Sequence, residues 1–288
     1  IASFLLFTVV YTPFILMDSV FIAKRTAKFT FIKNTIAAAL KVPLPIAFVF
    51  LGAFGIFSSA GLATAVGLGI ALLWFLPRVQ RDYLPIPTLH KEVFNDMFHY
   101  SLGNYLAGLL STAPMLLYPL MVVNILGVEQ NAYFYIAWAI GSIMFAITGA
   151  FSLSLFAEGS YQEELLLVNT RRSLKMVLLI LLPAIVVIFA LGDKLLLLFG
   201  EAYSQNATTL LWVVALSAIP LSINSLYLAI MRVRKNIKGL IMVSSIMACL
   251  SLGLSYFLMI KMGILGVGVG WIAGQGLVAI TIVVYLLH

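Results

Sequence analysis

Long apolar stretches alternate with short polar ones along the whole chain. A membrane-crossing helix needs about 20 mostly apolar residues, and nine stretches meet that length, at about 1–22, 33–53, 56–77, 99–126, 131–157, 174–192, 207–230, 238–260 and 263–287. Backbone inside lipid must satisfy its own hydrogen bonds, so these segments are predicted to be helices. The ten-residue alternation of a membrane β-barrel is absent. The pattern therefore predicts an all-α polytopic membrane protein of nine transmembrane helices. The longest polar connection, 78–98, contains Pro85 and Pro87. Beyond them Val93 with Met97, and Phe94 with Phe98, form apolar pairs at helical spacing, which predicts a short amphipathic helix on the membrane surface.

Composition agrees with that pattern. Hydrophobic residues make up 63% of the chain, charged residues 9%, and the mean hydropathy is +1.12. Soluble domains carry about a quarter charged residues, so lipid has to be the solvent here. The net charge of +7 then speaks of orientation rather than of nucleic acid, which is not expected as a partner. Fourteen of the seventeen Lys and Arg fall in or beside alternate connections: Lys24 to Lys33, Arg78 to Lys91, Arg171 to Lys175 and Arg232 to Lys238. The opposite connections hold Lys194 and Lys261 together with Glu129, Asp193 and Glu201. By the positive-inside rule the first span runs inward and the carboxyl terminus is cytoplasmic; the expected setting is the cytoplasmic (plasma) membrane. Cys249, the lone cysteine, excludes an intrachain disulfide and reads as a buried thiol.

The chain also repeats itself. Asp18–Lys28 (DSVFIAKRTAK) echoes Asn224–Arg234 (NSLYLAIMRVR) at an offset of 206, and Gly61–Gly69 (GLATAVGLG) echoes Gly268–Gly276 (GVGWIAGQG) at 207. The echoes join the first span to the seventh and the third to the ninth. The members of each pair are six spans apart in order, an even number, so the repeats are parallel, as in some transporters. Three regions follow: 1–77 as the last three helices of a first lobe, 78–98 as a cytoplasmic linker, and 99–288 as a six-helix second lobe. The first lobe is then incomplete. Ile1 lies within an apolar run, which reads as the continuation of a longer protein of twelve or more spans.

Ionisable groups at bilayer depth are costly and draw attention as functional. Lys41 lies in the second span, about 12 Å along the helix from Lys33, and Pro43 and Pro45 follow it. It either snorkels to the interface or faces a cavity as the partner of an anionic group. Asn104 and Tyr105 (in SLGNY), Asn224, Ser225 and Gln275 are further substrate-pathway candidates, with helix–helix hydrogen bonding as the plainer role. Asp18 and Glu158 sit near basic ends of their spans, as partners of Lys24 or Arg25 or as coupling or gating groups. Tyr133, Tyr135 and Trp138 fit an interfacial aromatic belt. Gly266, Gly270 and Gly274 form a spacing-of-four ladder suited to close helix packing. His90, His99 and His288 lack metal-ligand spacing, so neither a metal nor a cofactor is expected.

The stretches SLGNYLAGLLSTAPMLLYPLMV, AYFYIAW and SLSLFAEGS, followed by LLLLFGEAYSQNA and IPLSINSLYLAIMRV, resemble the polysaccharide-export flippases of the multidrug/oligosaccharidyl-lipid/polysaccharide exporter superfamily. The resemblance covers essentially the whole chain, as helices four to twelve. It implies two six-helix lobes around a central cavity and alternating-access transport of a lipid-linked oligosaccharide on a polyprenyl-phosphate carrier. It further implies membrane lipids as surroundings, a monomer, no cofactor and no enzymatic activity, with Lys41 facing the anionic carrier and Asn104 and Tyr105 at the family's GNY position. Two other readings stand beside it. A cation-coupled multidrug exporter of the same superfamily would want an acidic cavity. A membrane-embedded glycosyltransferase or polymerase would want a catalytic carboxylate and a sizeable soluble loop.

Overall fold

A computed structural model describes residues 2–80 and 91–287. Every regular element among them is helical, as expected for backbone that must bond to itself in lipid. Among the described residues eight helical segments are long and apolar enough to cross a membrane. The chain forms two compact units, Ile1–Leu89 and His90–His288, each with its own core.

In the first unit α1 (Ala2–Ala23) turns into α2 (Ala27–Leu40), then α3 (Pro43–Ala47), a 3-10 turn (Val49–Leu51), α4 (Gly52–Ile70), a π-helical stretch (Ala71–Phe75) and α5 (Leu76–Val79). The second expected span, 33–53, is helical but not continuous. Pro43 and Pro45 bring no backbone N–H, so the ladder stops with Lys41 and Val42 bonded back to Ala37–Ala39. Met17, Phe21, Ala71, Phe75 and Leu76 make the core at the α5 end.

The second unit holds α6 (Lys91–Leu126), α7 (Val128–Gly141), α8 (Ile143–Tyr161), α9 (Leu166–Leu197), α10 (Glu201–Leu216), α11 (Ala218–Val233), α12 (Ile237–Met262) and α13 (Ile264–Leu287). Residues 81–90 of the expected linker lie outside the described residues. From Lys91 onward the helix runs without interruption into the fourth span, so Val93–Phe98 begin α6 rather than form a separate surface helix. The fifth and seventh expected spans each turn at a serine, Ser142 and Ser217. Tyr118, Phe134, Trp138 and Trp271 meet in the largest core, with Trp138 and Trp271 rings 5.6 Å apart. Trp138 is thus a core side chain, whereas Tyr135 is exposed. The glycine ladder lets α13 lie against α12: a Cβ at Gly266 would strike the backbone of Leu258, and one at Gly270 the backbone of Ser255. Cys249 is exposed on α12 rather than buried, because α12 turns only one face to its neighbours.

Both units contain the same turns. After α1, Thr26 N–H bonds Phe21 C=O and Arg25 N–H bonds Ile22 C=O. After α11, Asn236 bonds Met231 and Lys235 bonds Arg232. Each is a Schellman cap, and the left-handed residue is not glycine but Arg25 (φ 56°) or Lys235 (φ 53°). Further on, Gly52 (φ 59°, ψ −140°) and Gly263 (φ 62°, ψ −145°) end the corresponding segments. A Cβ at Gly55 would strike the carbonyl of Phe48, as one at Gly266 would strike that of Leu258. The structural repeat therefore runs at an offset of 210 through the first turn and 211 after the glycine. That is four residues from the register of the sequence echoes, or about one helical turn.

Candidate functional site

In the first unit Lys41 caps α2 where the prolines end it, and its side chain is exposed. It lies at the edge of a pocket of about 270 Å³ lined by Phe4, Phe7, Thr8 and Tyr11 of α1 and Phe57, Ala60, Gly61 and Thr64 of α4. Lys41 is the single charged group of a wall that is otherwise mainly aromatic and apolar, with the hydroxyls of Thr8 and Thr64 bonded back to their own helices. Gly61 keeps the wall thin: a Cβ there would collide with the Phe7 ring.

Asp18 does not pair as expected. Lys24 and Arg25 lie beyond it in the turn, while Lys33 stands opposite on α2, nearly the same distance from Arg25 along the chain. Lys33 Nζ is 2.9 Å from Asp18 Oδ1, donates to the Phe14 carbonyl at 2.7 Å and sits 3.2 Å from the Phe14 ring centroid. Asn34 Nδ2 reaches Asp18 Oδ2 at 3.4 Å. Lys33 is 0% exposed and Asp18 25%. Sequence reasoning places Lys33 among the loop charges. The available signal is its mirror position to Asp18 across an antiparallel turn.

In the second unit Asn224 and Gln275 come together. Asn224 Nδ2 donates to Gln275 Oε1 at 2.8 Å and to its backbone oxygen at 3.0 Å, and Gln275 Nε2 reaches Ser251 Oγ at 3.5 Å. Trp271 Nε1 donates to Ser217 Oγ at 2.9 Å. Ser225 lines a small cavity of about 70 Å³ with Ser111, Trp271 and Gln275, and its carbonyl accepts from Ser152 at 2.8 Å. Asn104 faces α11, where its Oδ1 accepts from Arg232 Nε at 3.1 Å, and Tyr100 donates to the Arg232 carbonyl at 3.3 Å. Tyr105, one residue on, points away and is 62% exposed. Glu158 lies apart from both, at a polar pocket of about 290 Å³ between α8 and α9 that also holds Arg172 and Asn169. His90 and His288 lie outside the described residues. No cluster suited to a metal ion occurs among the described residues.

Carried through the structural register, four residues of the first unit's pocket have defined counterparts. Phe7, Lys41, Ala60 and Thr64 correspond to Ser217, Ser251, Trp271 and Gln275. In the second unit those four are joined in two hydrogen-bonded pairs. In the first unit they surround open space.

The architecture is that of a multi-pass membrane protein with the fold of multidrug/oligosaccharidyl-lipid/polysaccharide superfamily transporters. An outward-facing multidrug resistance MATE family transporter of that superfamily superposes with a TM-score of 0.74 at 17% identity, over 90% of this chain and 62% of that one. A MATE protein in its straight conformation gives 0.73 at 17% identity, over 89% and 61%. A superfamily transporter from Pyrococcus furiosus, described as having a binding pocket of reverse polarity that suggests a different function, gives 0.74 at 16% identity, over 90% and 62%. The chain thus spans about three fifths of the length of these structures. No curated protein matches it. The family model for polysaccharide biosynthesis proteins matches residues 2–208, and the chain belongs to that family.

Proposed function

We propose that this chain forms the membrane-embedded body of a flippase. It moves a lipid-linked oligosaccharide, carried on a polyprenyl phosphate, across the cytoplasmic membrane by alternating access, with its carboxyl terminus in the cytoplasm. The observation that carries this reading is Lys41, the only charge on a mainly aromatic and apolar pocket. An ammonium at the rim of such a wall suits a ligand with an anionic phosphate joined to an apolar chain, since a charge-assisted bond gains strength where water is scarce. Membership of a polysaccharide biosynthesis family supports the same substrate class. Asn104, Asn224, Ser225 and Gln275 then serve the pathway through the second unit's hydrogen bonds, and Asp18 and Glu158 are coupling or gating groups.

The drug-exporter reading draws on the multidrug transporters among the solved structures. Their substrate class is not supported by this pocket, whose charge is positive, while the acid nearest in sequence, Asp18, is bound to Lys33. The test is Lys41→Ala and Lys41→Arg in the full-length protein, with export of lipid-linked glycan as the readout. Loss with Ala and retention with Arg is expected. Normal export by Lys41→Ala overturns the role of Lys41.

A further inference from the structure

We propose a phosphate-binding site in the second unit, built by Arg232 and Asn104 where α6 and α11 meet at their basic ends. Arg232 is a donor only, with five N–H groups in a planar fork. Its Nε bond to Asn104 Oδ1 at 3.1 Å uses one of them and fixes the plane of the fork. The four N–H groups of the two terminal nitrogens remain. Because Asn104 turns its oxygen to Arg232, its amide N–H₂ is left as a further donor next to the guanidinium. Tyr100 clamps the backbone beneath by donating to the Arg232 carbonyl at 3.3 Å. No carboxylate pairs with Arg232 among the described residues, and Arg232 is half-buried in the last turn of α11. A half-buried cation held in place, with terminal N–H groups to spare and no carboxylate partner among the described residues, is matched by a tetrahedral oxyanion that accepts two parallel N–H bonds. Arg234 and Lys235 in the adjoining turn and Lys238 at the start of α12 add a positive field and disfavour a cationic ligand.

Arg232 stands at a span's end, where lipid phosphates lie, so the group bound is the phosphate of a lipid. It comes from a polyprenyl-phosphate carrier or from an anionic membrane phospholipid. The site lies in a different unit from Lys41 and does not depend on the transport reading.

The experiment is native mass spectrometry of the full-length protein with a short polyprenyl phosphate, with the matching polyprenol, and with phosphatidylglycerol. Wild-type protein is expected to hold the polyprenyl phosphate at least several-fold more tightly than the polyprenol. Arg232→Gln, which keeps an amide facing Asn104, should weaken it on the order of tenfold. Asn104→Ala leaves the charge but frees the fork, and should weaken it less. The exposed Lys238→Gln serves as a charge control and should change little. Phosphatidylglycerol held equally well, and lost equally in Arg232→Gln, assigns the site to membrane phospholipid. Preference for the polyprenyl phosphate assigns it to the carrier. Equal binding of phosphate and alcohol overturns the proposal. So does undiminished binding by Arg232→Gln, or a loss no greater than that of Lys238→Gln. A melting temperature recorded for each variant separates lost binding from lost folding.

Discussion

The same four positions of the repeat are solved in opposite ways. In the second unit Trp271 packs against the rings of Tyr118, Trp138 and Phe145, and it and Gln275 bond to Ser217 and Ser251. In the first unit the corresponding residues are Ala60, Thr64, Phe7 and Lys41, and they bound a pocket of about 270 Å³. The difference is one of volume and polarity rather than of backbone, since the turns leading into both segments share their hydrogen bonds. A tryptophan exchanged for an alanine opens space, and a serine exchanged for a lysine charges it. One copy of the repeat is thereby a packed pillar and the other a receptacle.

The largest way to break this contrast is Trp271→Ala. It removes a buried ring from the core and should cost about 3–5 kcal/mol, read as a lower midpoint in thermal unfolding of the detergent-solubilised protein. Next is the ion pair beneath the receptacle. Lys33→Ala leaves Asp18 without its partner and should cost about 3 kcal/mol, whereas Lys33→Met with Asp18→Leu should recover most of that. If the single and double variants melt alike, the pair is not holding α1 to α2. A smaller effect, about 1–3 kcal/mol, is expected for Gly270→Ala, whose Cβ meets the backbone of Ser255. Gly69→Ala, with open space around it, should be near neutral in the same assay. The smallest is Lys41→Ala, within about 0.5 kcal/mol of wild type. An unfolding midpoint well below wild type in Lys41→Ala would make Lys41 a structural residue and the receptacle part of the core.

The helical architecture is legible in the sequence because hydropathy reports burial in lipid directly, and Lys41 stands out as a charge among apolar neighbours. Its pocket partners do not, since Phe7 and Ala60 look like any membrane-helix residue. Lys33 misleads because a basic residue near a turn ordinarily records orientation; only its depth beside Asp18 shows otherwise. Arg232 misleads in the same way. The echoes signal a repeat but misplace it by four residues, because small and apolar residues on one helix face recur about every turn. Hydrogen-bonded caps have no such ambiguity, and they fix the register.

The left-handed caps at Arg25 and Lys235 bear on how the protein reaches the membrane. Left-handed backbone costs a non-glycine residue on the order of 1–2 kcal/mol, and glycine would relieve it. Both turns nevertheless keep a cation there. A turn that favoured folding alone would take glycine; these two keep the charge that an inserting chain uses to choose its side. Arg25→Gly and Lys235→Gly together should yield a protein that is easier to fold and harder to orient.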